Sequence, residues 1–105
     1  MSRYRVVLVT ASSEKEAREI GMNLLKDKLA ACVNIVPKIS SSYWWKGKIE
    51  TASESLLILK TMASRTAQLI RKVKTLHSYS VPEVIALPIL EGNPDYLRWI
   101  SRSLK

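Results

Sequence analysis

The stretch YWWKGKIE, Tyr43 to Glu50, decides how the chain folds. Lys46-Gly47 reads as a reversal, because glycine supplies the positive φ that a tight turn needs. Lysine is a poorer first turn residue than asparagine, so the turn type stays open. Upstream, ACVNIVPKISSSYWW is mostly extended. Val33, Ile35 and Val36 are strand formers, and Pro37, with no N–H to donate, marks a bulge or an edge. Downstream, KIETASESLLILKT, Lys48 to Thr61, returns as a second strand. Its apolar run Leu56 to Leu59 suits a strand covered on both faces. The hairpin, about Ala31 to Thr61, is long against strands of about five or six residues. Its distal half is therefore expected to project. By period two, Ile39, Tyr43 and Trp45 share one face, and Ser40, Ser42 and Trp44 the other. Trp44 and Trp45 cannot both face one small core. A projecting ribbon with exposed edges and indoles invites partners. The economical partners are copies of the same chain in a closed ring, one indole buried within the subunit and the other across an interface.

The remaining elements follow from period and punctuation. Tyr4 to Ala11 is β-branched and apolar, a buried strand. Ser13 and Glu16 form a capping box, and Ala17, Ile20, Leu24 and Leu25 continue as a helix to about Ala30. Leu69, Val73 and Leu76 mark a second helix, with Ser64 as its expected cap. HSYSVPE is a loop, and Val84 to Leu90 a strand carrying Pro88. Asn93 caps a last helix with Pro94 at its first position and Leu97, Ile100 and Leu104 as its stripe. The first six elements read βαββαβ, an α+β, ferredoxin-like order, followed by a C-terminal helix. One domain is expected over residues 1–105, a length that suits it.

Composition narrows the function. With 47% hydrophobic and 25% charged residues the chain can build a core and stay in solution. Cys32 is the one cysteine, which excludes an intramolecular disulfide and a four-cysteine zinc site. The run Val6 to Val9 is too short for a signal peptide or a membrane span. A lone thiol fits a reducing compartment, so a cytoplasmic protein without a membrane partner is expected. The net charge is +8, but its lysines and arginines are spread along the chain with no aromatic-basic RNA motif. We therefore expect a solvated basic surface and no nucleic-acid partner. There is no G-x-S-x-G, no glycine phosphate loop and no H-E-x-x-H. An enzyme is not expected.

The segments KLAACVNIVP, SYWWKGKIE, LLILKT, LHSYSVPEVIALPI and GNPDYLRWI, in this order and spacing, resemble the CutA divalent-cation tolerance family along nearly the whole chain. The resemblance implies a ferredoxin-like subunit and a homotrimer whose long hairpins pair between subunits, an architecture similar to PII signalling proteins. Tyr43, Trp44 and Trp45 would then lie at the trimer interface. It also implies a cytosolic protein linked to tolerance of copper and other divalent cations, and brings no well-established catalytic activity; copper or another divalent cation is the expected ligand, and none is expected to be required for folding.

Three residues are candidate metal ligands. The Cys32 thiolate suits copper and zinc, and the resemblance points to this position; a free cysteine in a strand otherwise behaves as a small apolar residue. His77, the one histidine, carries an imidazole suited to the same ions. Glu83 either ligates or pairs with Lys60. Lys60 and Tyr79, near strand ends or in the loop, are candidates to line a ligand cleft between subunits. Asn34 and the segment from Glu50 to Glu54 are expected to supply polar groups of the hairpin surface. The chain departs from the family pattern at three places. Ser78 and Ser80 stand where a proline and a polar or acidic residue are usual after His77, and Val9 where some members have cysteine. Two alternatives follow: a PII-like module holding a small anion or metabolite, and a scaffold without a small ligand.

Overall fold

Val7, Val9 and Ala11 of the first strand lie opposite Leu59, Leu57 and Ser55 of the third, and this ladder is the centre of the computed structural model, which describes residues 2–105. Met1, within the expected domain, lies outside the described residues. The elements are β1 (Tyr4–Ala11), α1 (Glu14–Lys26), β2 (Cys32–Trp45), β3 (Lys48–Met62), a 3-10 turn (Ala63–Arg65), α2 (Thr66–Leu76), β4 (Val84–Pro88) and α3 (Pro94–Ser103). The strands form one antiparallel sheet in the order β2-β3-β1-β4. This is the ferredoxin-like α+β arrangement expected from the element order.

The alternation of side chains gives the sheet two unlike faces. Val7, Val9, Ala11, Leu57 and Leu59 turn to one side and are fully buried, with Ile20 and Leu24 of α1 and Leu69 and Val73 of α2 over them. The other face carries Leu8, Leu56 and Ile58, with Val36, Ile85 and Leu87 exposed at its margins. α3 covers one end of that face, where the Tyr4 hydroxyl is 2.8 Å from Ser101 Oγ and Ile100 is buried.

The hairpin projects as its length predicts. β1 pairs with β3 only from Ser55 to Met62, so the seven pairs from Ile39↔Glu54 to Trp45↔Lys48 stand free of it. At about 3.4 Å per residue this arm is roughly 23 Å long. Pro37 lies in the bulge that shifts register between Val36 and Ile39, and its carbonyl accepts from Ser55 Oγ at 2.6 Å. Lys46 and Gly47 both have positive φ, 51° and 78°, so the turn is of the I′ kind despite its lysine. Trp44 is 73% exposed and Trp45 50%, so neither indole is buried within the chain.

Three boundaries differ from the sequence expectation. α1 stops at Lys26, not near Ala30, because Lys28 takes a left-handed conformation (φ 59°) and the Lys28 and Leu29 amides bond to the Leu25 and Leu24 carbonyls. This is a Schellman stop with lysine where glycine is usual. Ser64 does not cap α2: it lies inside the 3-10 turn, and Arg65 precedes the helix without a side-chain cap. β4 ends at Pro88, not Leu90, after which one more backbone bond, from the Ile89 N–H to the Tyr4 carbonyl at 3.1 Å, holds the chain to β1. Among the described residues no helix is long and apolar enough to cross a membrane.

Candidate functional site

A cleft of about 580 Å³ opens at the base of the arm and extends along it as far as Trp45. Thr10 at the end of β1, Ser40 to Tyr43 and Trp45 of β2, Glu54 of β3, and Tyr79, Val81 and Glu83 of the α2–β4 loop line it. It forms there because β3 continues past the end of β1, leaving a step beside the arm that the loop walls off.

The loop is held rigidly at its start. His77 is buried; its Nδ1 accepts from the Tyr79 N–H at 3.0 Å, which places the ring proton on Nε2, 2.7 Å from the Thr10 carbonyl that accepts it. The Glu16 carboxylate adds a second tie, accepting from the Ser12 N–H and hydroxyl and from the Ser78 N–H at 2.8 Å. Burial raises the Glu16 pKa, but these hydrogen bonds outweigh it and hold the group at about 2, against an ordinary 4.5. A depressed carboxyl contributes stability above its unfolded pKa and loses it as pH falls through the folded one. Glu16→Gln is therefore expected to cost about 1 kcal/mol at neutral pH, a screened hydrogen-bond contribution. The gap between the melting curves of the two proteins should narrow from pH 4.5 towards 2; a gap independent of pH would show that the charge is not what ties the loop.

So positioned, Tyr79 donates its hydroxyl to Glu54 Oε2 at 2.8 Å. Burial, then the hydrogen bond and negative charge of Glu54, push the Tyr79 pKa up to about 12, so the phenol keeps its proton. Glu54 is only 8% exposed, and neither it nor Glu83 forms an ion pair among the described residues. No lysine, arginine or histidine lines the cleft. On a chain of net charge +8 the cleft is a local acidic exception.

The candidates read from sequence separate into two places. Tyr79 and Glu83 line the cleft, with His77 behind them. Lys60 does not: it is six residues along β3 from Glu54, about 20 Å. Nor does it pair with Glu83. Its Nζ bonds Asn34 Oδ1 and stands 4.0 Å from Cys32 Sγ, on the sheet face near α3. Burial and the neighbouring thiol raise the Tyr96 pKa there. Cys32 lies opposite Lys60, and Lys60 opposite Val6, four residues before Thr10. Four residues at about 3.3 Å and two strand spacings of about 4.8 Å put Cys32 roughly 16 Å from Thr10, and so far from His77. Cys32 and His77 of one chain cannot share an ion. Both His77 nitrogens are already bonded, and the Lys60 ammonium repels a cation at Cys32. Among the described residues no three histidine, cysteine or acidic side chains are grouped to hold a metal. Glu54, expected on the hairpin surface, is instead the buried acid of the cleft. Its one sequence signal is its position just ahead of the apolar run, on the same strand.

These features define a class: a small ferredoxin-like subunit with an acidic cleft at the foot of a projecting two-stranded arm. The chain belongs to the CutA1 divalent ion tolerance protein family, whose model matches residues 5–103. It is 50% identical over 95 residues to the divalent-cation tolerance protein CutA of Thermus thermophilus, covering 90% of this chain and 92% of that one. It is 49% identical over 100 residues to the chloroplastic protein CutA 1 of rice, covering 95% of this chain; it spans only 56% of the rice protein's length. The fold superposes on the periplasmic divalent cation tolerance protein CutA of Archaeoglobus fulgidus with a TM-score of 0.94 at 42% identity, covering 97% of this chain and 99% of that one. The family is named for a tolerance and not for a catalysed reaction.

Proposed function

We propose that the chain acts as a homotrimeric, non-catalytic binding protein in divalent-cation tolerance, with the cleft at the foot of the arm as its cation site. One observation carries the site: Glu54 is more than nine-tenths buried without a cationic partner among the described residues. Its carboxylate accepts from Tyr79 and has further lone pairs to offer a cation. Glu83, the Tyr79 oxygen and the serine hydroxyls add oxygen donors of the kind hard divalent ions take. The same charge argues against the PII-like alternative of a small anion at this cleft. A copper site at Cys32, His77 and Glu83 is a second reading, and it requires ligands from neighbouring copies.

Self-association is supported by the apolar sheet face bearing Leu8, Leu56, Ile58, Ile85 and Leu87, and by Tyr43, Trp44 and Trp45 on the arm. The free thiol of Cys32 favours the cytoplasm. Light scattering should give about three times the 11.9 kDa of one chain, and Trp44→Ser/Trp45→Ser a lower mass. Calorimetric titration with Mn²⁺ and Cu²⁺ should show saturable binding that Glu54→Gln weakens about tenfold or more. A Cys32→Ser variant should titrate like the parent. If that variant alone loses copper, the second reading replaces the first.

A further inference from the structure

We infer that the groove between α1 and α2 binds a small phosphorylated sugar or polyol, at a site separate from the cation cleft. The groove has a volume of about 570 Å³, within the range of small-molecule sites. Asp27 and Leu29, just after α1, form one wall. Arg65 and the flank of α2 that bears Gln68, Arg71, Lys72 and Thr75 form the other. Both helices lie on the opposite side of the sheet from the face proposed for self-association. Assembly through that face and the arm therefore leaves the groove open.

The first observation is charge. No aspartate or glutamate occurs from Ser55 to Pro82, and within that span the 3-10 turn and α2 carry Arg65, Arg71, Lys72 and Lys74. Like charges three or four residues apart on a helix repel, and no acid on α2 relieves them. The other two helices are built differently: Arg18 pairs with Glu14 on α1, and Arg98 with Asp95 on α3. The one carboxylate of the groove, Asp27, lies 3.2 Å from the Lys72 ammonium. Both partners are partly exposed, so the pair is weak and Lys72 can turn to an anion at little cost. The second observation is how the guanidinium groups are held. Arg65 is half-buried and donates one N–H to the Leu104 carbonyl at 2.5 Å, which orders the fork and leaves other donors for a ligand. Arg71 is exposed and forms no ion pair among the described residues. A planar guanidinium matches a phosphate through two parallel hydrogen bonds. The third is the rest of the lining. Asp27, Gln68 and Thr75 offer the donors and acceptors that hydroxyl groups take. Among the described residues no aromatic ring lines the groove, so a nucleobase has nothing to stack on.

The test is calorimetry on the full chain at constant salt, with fructose bisphosphate as probe and fructose, inorganic phosphate and adenosine monophosphate in separate cells. The bisphosphate should bind saturably, fructose should give no binding heat, and the other two should bind at least tenfold more weakly. Arg71→Gln should weaken the bisphosphate at least fivefold with an unchanged melting temperature, since the Arg71 side chain ties nothing together in the fold. Arg65→Lys keeps the charge but loses the fork, and should weaken it as well. Lys15→Gln removes the same charge from an exposed position at the start of α1 and should bind like the parent. No binding, or equal losses in Lys15→Gln and Arg71→Gln, overturns the inference, because the basic surface then acts only as a diffuse field. Phosphate or the nucleotide binding as tightly as the bisphosphate overturns the assignment to a sugar or polyol. The Mn²⁺ titration of the cation cleft is independent of each of these outcomes.

Discussion

Leu57→Ala is expected to destabilise the protein by about 3 to 5 kcal/mol, the range for a large aliphatic side chain removed from a closed core. Leu57 is fully buried, lies between Val9 of β1 and Ile35 of β2, and sits beneath α1. The sheet holds its backbone on both sides, so the walls of the cavity cannot collapse inward. A single domain has only about 5 to 15 kcal/mol in hand. The urea midpoint at fixed protein concentration should therefore fall sharply with an unchanged slope. Met22→Ala, on the exposed side of α1, should change stability by about 0.5 kcal/mol or less. Equal effects at the two positions would mean that Leu57 is not where the helices meet the sheet.

Gly21 is the second sensitive position. A Cβ placed on it comes 2.8 Å from Val33 Cγ1 and 3.6 Å from Leu57 Cδ2. Val33 is β-branched on a strand and has little rotamer freedom to retreat. Gly21→Ala gains about 1 kcal/mol of helix propensity but loses more to the contact, and Gly21→Val should cost about 3 kcal/mol or more. Truncating the obstacle supplies the check. Gly21→Ala combined with Val33→Ala should be more stable than the sum of the two single changes predicts, by about 1 kcal/mol or more. Additivity, or a Gly21→Ala protein more stable than its parent, would mean that α1 rides higher over β2 than the structure has it.

Local rules read the fold well where one residue's chemistry decides one turn of chain. Ser13 caps α1 by accepting from the Glu16 N–H at 3.1 Å, and Asn93 caps α3 by accepting from the Asp95 N–H at 3.0 Å. Pro37 shifts the register and Gly47 closes the turn, each through a backbone property that no neighbour can override. The misread ends lie where a residue accepts a conformation it does not prefer. Lys28 is left-handed because the buried Leu29 beside it and the bond from its Nζ to the Ser103 carbonyl, 3.2 Å, hold it there. Ser64 has the right side chain for a cap, but the chain leaves β3 in a tighter turn and starts α2 two residues later.

The site was half legible. Tyr79 and Glu83 stood out because aromatic and acidic residues cluster in a short loop, whereas Glu54 sits 25 residues from the tyrosine that bonds it. Sequence by itself determined the strand and helix order, the long arm with its exposed indoles, and the family, because alternation, capping and turn chemistry act between residues a few positions apart. Only the tertiary structure decided that Lys60 and Cys32 belong to one end of the sheet and Glu54, Tyr79 and Glu83 to the other, and that His77 props the loop. Those placements depend on strand register and helix packing, which bring together groups far apart along the chain and separate others that share a strand.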